Sequence, residues 1–398
     1  MLKKLFGMSG ALALSQLINF TAISYGSTLF GADEFGRYSY VNSLSLVISV
    51  LFYLKADNVI LIEQKEEISK TLKFLKTYSF FVLCFFICSM SLLSIFVHDH
   101  EMIVLTFSGI LLGYFNSKFI VFGSALIKED KISRYSVTTV VRPFLMLLGI
   151  HVATYIPKLL YPMVIIRLFS EFSSVISRRI NLPKEKDQRI KIKDTILDKK
   201  DFYIYGSVAS FLNSLSQQLP MLALPIIYDY ESIAYFSLAF ALTVAPMTLF
   251  LTPLRSLLLN NLSSSIKKKD VIYRFTVILI IPSIFIILSF NLFSEFIIFY
   301  FWGEEWKLTS EYMSWISFWV ATGFLSSPSY SYMIYSARQK VLVNLENIFL
   351  FLKFILVVSI KIFGFEIYDV VLVFVFLGVV YNIILMIFSF KAISNEVI

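Results

Sequence analysis

Apolar residues in this chain come in long unbroken runs, not in the period-2 or period-3.6 stripes that mark half-buried strands and helices. The clearest runs cover 78–97, 275–301 and 367–390. Each reaches the roughly 20 residues a helix needs to cross a hydrocarbon core of about 30 Å. A window of about 19 residues predicts helices over 8–30, 38–62, 78–97, 102–127, 136–156 and 159–177, then over 202–227, 232–260, 273–301, 312–336, 341–363 and 367–390. The expectation is an all-α integral membrane protein with twelve transmembrane helices.

Composition agrees. Of 398 residues, 58% are hydrophobic, 17% aromatic and 16% charged, with a mean hydropathy of +0.77. Soluble domains carry about 45–50% apolar and about 25% charged residues. A soluble enzyme, a nucleic-acid binder and a secreted scaffold are excluded. The net charge of +8 points to no nucleic acid, because most of it lies in short segments between spans. Cys84 and Cys88 sit four apart in one apolar run, too few for a disulfide framework or a four-ligand metal site. Met1-Leu2-Lys3-Lys4 is followed by no small-residue cleavage site and reads as the start of a retained first helix.

The distribution of Lys and Arg fixes a direction. With a cytoplasmic amino terminus, the inside segments hold 25 of them and the outside loops hold 4, namely Arg37, Lys158, Lys307 and Lys361. The positive-inside rule then places both termini in the cytoplasm. The longest hydrophilic stretch, 178–201, contains Pro183 and nine basic residues. It divides the chain into an amino-terminal six-helix bundle (1–177), a basic cytoplasmic linker that meets anionic headgroups, and a carboxy-terminal six-helix bundle (202–398).

A shift of 197 positions lays the second half on the first. Glu34 falls on Glu231 and Tyr38 on Tyr235, with Gln16 on Asn213 and Asn19 on Ser216. Repeats joined after an even number of spans share one orientation, so the halves are expected to be related by a pseudo-two-fold axis along the membrane normal, with a cavity between the bundles.

Charges inside spans are costly, about 2.5–3.5 kcal/mol at a helix centre, and so mark pathways or internal pairs. Ten lie there: Lys55, Asp57, Lys118, Arg142, Arg167, Glu171, Arg255, Glu295, Glu346 and Lys353. Arg167 and Glu171 are spaced to pair along one helix, Lys55 and Asp57 are near enough to an end to snorkel, and Glu346 is near a cytoplasmic end. Lys118 and Arg142 lie deep, and Arg142 precedes the helix-bending Pro143. Uncharged polar stripes run along the first span (Ser15, Gln16, Asn19) and the seventh (Asn213, Ser214, Gln217, Gln218). They suit either interhelical hydrogen bonds or a wet wall for sugar hydroxyls. No catalytic constellation, metal or cofactor is expected. His98-Asp99-His100-Glu101 reads as a solvated turn, and the cytoplasmic segments contain no Gly-rich phosphate loop.

The stretch Leu29-Phe30-Gly31-Ala32-Asp33-Glu34-Phe35-Gly36-Arg37-Tyr38-Ser39 resembles the LG-x-x-x-(Y/F)-G-x-Y signature of polysaccharide exporters in the multidrug/oligosaccharidyl-lipid/polysaccharide (MOP) superfamily. Ala234-Tyr235-Phe236-Ser237-Leu238-Ala239, with Pro253 downstream, looks like its second-half counterpart, with Ile233 where a Gly is usual. Length and span number fit across the chain, and in size, charged spans and general likeness it resembles O-antigen flippases of the Wzx type.

The resemblance implies alternating access in a bacterial inner membrane. It also implies movement of an undecaprenyl-diphosphate-linked oligosaccharide from the cytoplasmic to the periplasmic leaflet, with a proton or sodium gradient as the driving force. Membrane lipid, a polysaccharide polymerase and a chain-length regulator are the partners it implies. On that reading Arg142, Lys118, Arg255 and Lys55 meet diphosphate or acidic sugars, and Gln16, Asn19, Asn213 and Gln217 meet sugar. Asp57 and Glu295 serve ion coupling or internal pairing. Two rivals remain. A drug or cation exporter of the same superfamily would want an acidic cavity, and an O-antigen polymerase would want a sizeable periplasmic loop, whereas the long loop here is placed inside.

Overall fold

A computed structural model describes residues 2–62, 68–96, 99–156, 159–178, 201–264, 268–336 and 338–395. Among these residues the chain is helical throughout, with no strand. The helices are α1 (Leu2–Tyr53), α2 (Ala56–Ile62), α3 (Ile68–Phe96), α4 (His100–Lys128), α5 (Ile132–Ala153), α6 (Pro162–Arg178), α7 (Ser207–Ile227), α8 (Tyr230–Ser264), α9 (Lys268–Trp302), α10 (Lys307–Tyr335), α11 (Gln339–Phe363) and α12 (Ile367–Asn395). A single π-helical turn, Asp201–Gly206, leads into α7. Six helices are long and apolar enough to cross a bilayer: Ile68–Leu92, His100–Lys128, Ile132–Ala153, Lys269–Trp302, Lys340–Ile360 and Ile367–Ser394. The protein is a multi-pass membrane protein. Phe80, Phe85, Ile281, Phe285, Phe296 and Phe376 point outward, as lipid-facing side chains do.

The helices fall where the apolar runs predict, with two local departures. The expected loop after residue 30 is helical, and α1 bends there at Gly31 alone (φ 81°, ψ 174°), a conformation that only glycine adopts without strain. The expected continuous helix over 38–62 is broken at Leu54 and Lys55, which have φ of 46° and 54°. Neither residue is a glycine or proline, so the sequence gives no warning of the break.

The chain forms two compact units, Met1–Leu222 and Ala223–Ile398. In the first, α1 packs along α4 and α5, and α6 closes against α5 and α4. Close approach of α4 to α1 depends on Gly113, where an added Cβ would stand 3.1 Å from the Ser45 carbonyl oxygen. Such small-residue contacts replace the hydrophobic effect as the packing force in lipid. Tyr203, from the π turn, is buried and meets the Phe74 ring edge-on at 5.6 Å, so the entry to α7 is anchored in the first unit. In the second unit α10 is central, packing against α8, α9 and α12. Asn382 ties α12 to α10 by donating to Thr322 Oγ1 (3.3 Å) and accepting from Ser326 Oγ (3.1 Å).

Candidate functional site

The first unit gathers a charged cluster from two helices. Glu171 on α6 is fully buried and holds two guanidinium groups through one oxygen. Arg142 Nε on α5 lies 2.9 Å from Glu171 Oε2, and Arg167 Nη2, one turn before Glu171, lies 3.3 Å from it. The pairing of Arg167 with Glu171 follows the i, i+4 spacing; the pairing with Arg142 comes from packing. Arg142 also faces the Phe119 ring of α4 at 4.9 Å.

Two cations share one carboxylate, so the cluster carries surplus positive charge. Arg142 meets Glu171 through its Nε. Its side chain keeps 23% of its exposure, against 6% for Arg167. Both Glu171 oxygens and Arg167 Nε are buried without hydrogen-bond partners, so the two contacts at Oε2 are ion pairs by charge and distance. Buried polar atoms normally find partners, and exceptions point to a ligand or water. Chemically, the cluster offers an anion the planar fork of Arg142, already oriented by Glu171.

A third arginine sits nearby but is spent on structure. Arg178 Nε donates to Thr138 Oγ1 (2.9 Å), Nη1 to the Phe119 carbonyl (2.9 Å) and Nη2 to Thr139 Oγ1 (2.5 Å). Its guanidinium lies 3.4 Å from the Phe119 ring centroid. This cross-brace of α4, α5 and α6 was not singled out in the sequence, because Arg178 reads there as the first residue of the linker.

The other expected site residues are dispersed. Lys118 is half-buried, and its Nζ donates to Tyr114 Oη at 2.5 Å. Lys55 lies at the break between α1 and α2, over the Tyr53 ring at 5.7 Å, and Asp57 follows it with Oδ1 buried and unpartnered. Gln16 and Asn19 are half-buried on α1, next to Ser15, whose hydroxyl donates to the Thr139 carbonyl at 3.1 Å. Gln217 donates to Asn213 Oδ1 at 3.0 Å. Glu295 is exposed on α9 between outward-facing Phe293 and Phe296, and the structure does not bring it to the other charges. Arg255 is on α8, and its side chain lies outside the described residues.

In the second unit Glu346 accepts from Tyr381 Oη (2.7 Å), and Lys353 is buried with its Nζ 5.4 Å from the Trp319 ring. Asp99 caps α4 by accepting from the Met102 amide, and Glu101 pairs with Arg37, so these two acidic residues of the His98–Glu101 turn are used structurally. Among the described residues, no group of three or more His, Cys, Asp and Glu side chains is arranged to hold a metal.

No protein-family model and no curated relative matches the sequence. The solved structures it resembles are transporters. The chain has the fold of the MOP superfamily transporters. It superposes on an inward-closed lipid II flippase, MurJ, with a TM-score of 0.72 at 17% identity, covering 98% of this chain and 90% of that one. An inward-facing multidrug-resistance MATE transporter of the MOP superfamily follows, with a TM-score of 0.61 at 12% identity and coverage of 97% and 95%.

Proposed function

We propose that this protein is a Wzx-type flippase that carries an undecaprenyl-diphosphate-linked oligosaccharide repeat unit of a surface polysaccharide from the cytoplasmic to the periplasmic leaflet. The observation that carries the reading is the Arg142 guanidinium. It is held at its Nε edge by buried Glu171 and keeps 23% of its exposure, in a cluster with more cations than anions. Such a fork matches two phosphate oxygens through parallel hydrogen bonds. A fold shared with a lipid II flippase supports a lipid-linked cargo. The cluster also weighs against export of cationic drugs, since its one carboxylate is already paired twice.

Lys118 adds a second cation on α4, and the polar stripes of Gln16 with Asn19 and of Asn213 with Gln217 meet the sugars. The coupling carboxylate in this scheme is Asp57, with its unpartnered oxygen beside a broken helix. Interrupted helices serve ion and substrate sites in transporters because their freed backbone groups become available.

The deciding experiment is a deletion strain. It should accumulate complete lipid-linked repeat units on the cytoplasmic leaflet, shielded from an external lectin or glycosidase in right-side-out preparations. Single repeat units displayed outside would transfer the assignment to a polymerase. The proposed direction has its own check: reporters fused after Asp201 and at the carboxyl terminus should report cytoplasm, and reporters near Asp99 and Glu304 periplasm. A periplasmic signal from 178–201 would reverse the topology and remove the flippase reading with it.

A further inference from the structure

The signature around Glu34 is not used by the anion cluster, yet it builds a second site at the other end of the first unit. The bend at Gly31 restarts α1 so that Glu34 points inward, and its side chain keeps only 8% of its exposure. Glu34 Oε1 accepts from the Met163 amide at 3.1 Å. Met163 is the second residue of α6, where an amide has no acceptor within its own helix. The residue before α6, Tyr161, has a φ of 50°, so the turn that Glu34 closes is strained.

The charged groups acting on Glu34 are Asp33 and Arg37 on its own helix and Glu101 on α4. Arg37 is engaged elsewhere: it pairs with Asp33, reaches Glu101 at 2.5 Å and covers the Tyr161 ring at 5.7 Å. The ionisable group at the neighbouring end of α5 is His151, with its ring 6.5 Å from that of Tyr25 and 5.7 Å from that of Tyr155. The second half shows that burial here is not an architectural requirement. At the matching turn Glu231 is exposed and bonded to Tyr235 Oη, while Asp229 caps α8 through the Ser232 amide.

We propose that Glu34 is a proton-binding site that latches this end of the first unit, neutral while it is buried on the Met163 amide and ionised when the end opens to water. The proton leaves Glu34 for the aqueous phase as the carboxylate becomes hydrated, and returns on closure. Loss of hydration on burial pushes the Glu34 carboxyl up to about 7, against the pull of the Met163 amide and Arg37. An exposed glutamate titrates near 4.5. The buried state therefore binds the proton more tightly. Closure is favoured in acid and is lost as pH rises through about 7, with a ceiling on the order of 10²- to 10³-fold set by the two pKa values.

The test is hydrogen exchange at amides 161–168 of the full chain in nanodiscs between pH 5.5 and 8.5, corrected for the intrinsic exchange rate. Protection in the wild type should be flat above pH 7, begin to rise near 7 and gain at least tenfold by pH 5.5. Glu34→Gln copies the neutral carboxyl, so its protection should be high and flat, and His151→Gln should keep the wild-type onset. Protection that ignores pH, that falls in acid, that titrates equally in Glu34→Gln, or that loses its onset near 7 in His151→Gln would overturn the latch. If Glu34→Gln does not accumulate, the wild-type and His151→Gln profiles still decide. As a transport element the latch rests on the flippase reading, but its titration does not. A titrating latch in a protein that moves no diphosphate-linked oligosaccharide in liposomes would sink the flippase and leave the latch standing.

Discussion

Arg142→Ala should reduce surface glycan and liposome transport by about 30- to 150-fold while the protein persists in the membrane. The size follows from losing hydrogen bonds between a charged guanidinium and a charged phosphate, worth about 2–3 kcal/mol in a desolvated site. Persistence follows from Glu171. With Arg142 gone, its carboxylate keeps Arg167 at 3.3 Å along the same helix, so no buried charge is stranded. Arg142→Lys restores the charge but not the fork. It should recover transport only in part, because an ammonium can meet either Glu171 or phosphate oxygens but cannot span both in parallel. Normal glycan in Arg142→Ala at normal abundance would remove Arg142 from the cargo path. Loss of the protein itself would make the Arg142–Glu171 contact structural.

How much of this was legible in the sequence depends on the distance over which each contact acts. The helices were legible because crossing a membrane demands a run of about 20 apolar residues, and these runs leave a mark that no packing detail erases. The Arg167–Glu171 pair was legible as well, being one helical turn. Arg142 could be singled out as a deep charge, but not given a partner, because Glu171 lies on another helix and only the packing of α5 against α6 joins them. The break at Leu54–Lys55 was invisible, since a positive φ was imposed on residues that ordinarily continue a helix. The signature at 29–39 was visible as a family resemblance, yet its physical content was not. The repeat alignment equates Glu34 with Glu231, and the structure buries one and exposes the other. Glu295 shows the reverse: a charge in an apolar run that meets no functional neighbour and sits on the outer face of α9.

Glu171→Leu should cost more stability than any other single change in the cluster, about 3–5 kcal/mol, seen as lower abundance and an earlier thermal transition in detergent. Removing the one carboxylate leaves Arg142 and Arg167 facing each other in a buried site, and an uncompensated buried charge is far more expensive than a missing pair. Glu171→Gln keeps an acceptor oxygen for both guanidinium groups and should lose less, about 1–3 kcal/mol. Replacing both members of the i, i+4 pair, Arg167→Leu with Glu171→Leu, should recover part of the abundance, because apolar residues can replace that ion pair with little net loss and only Arg142, which keeps 23% of its exposure, is left unpaired. That recovered protein is the informative one. Its Arg142 keeps its charge but has lost the carboxylate that orients its fork, so transport per molecule of protein in the membrane should stay low. Full transport in the double variant would mean that Glu171 does not position Arg142, and wild-type stability in Glu171→Leu would mean that the buried cluster carries no net ionic pairing at all.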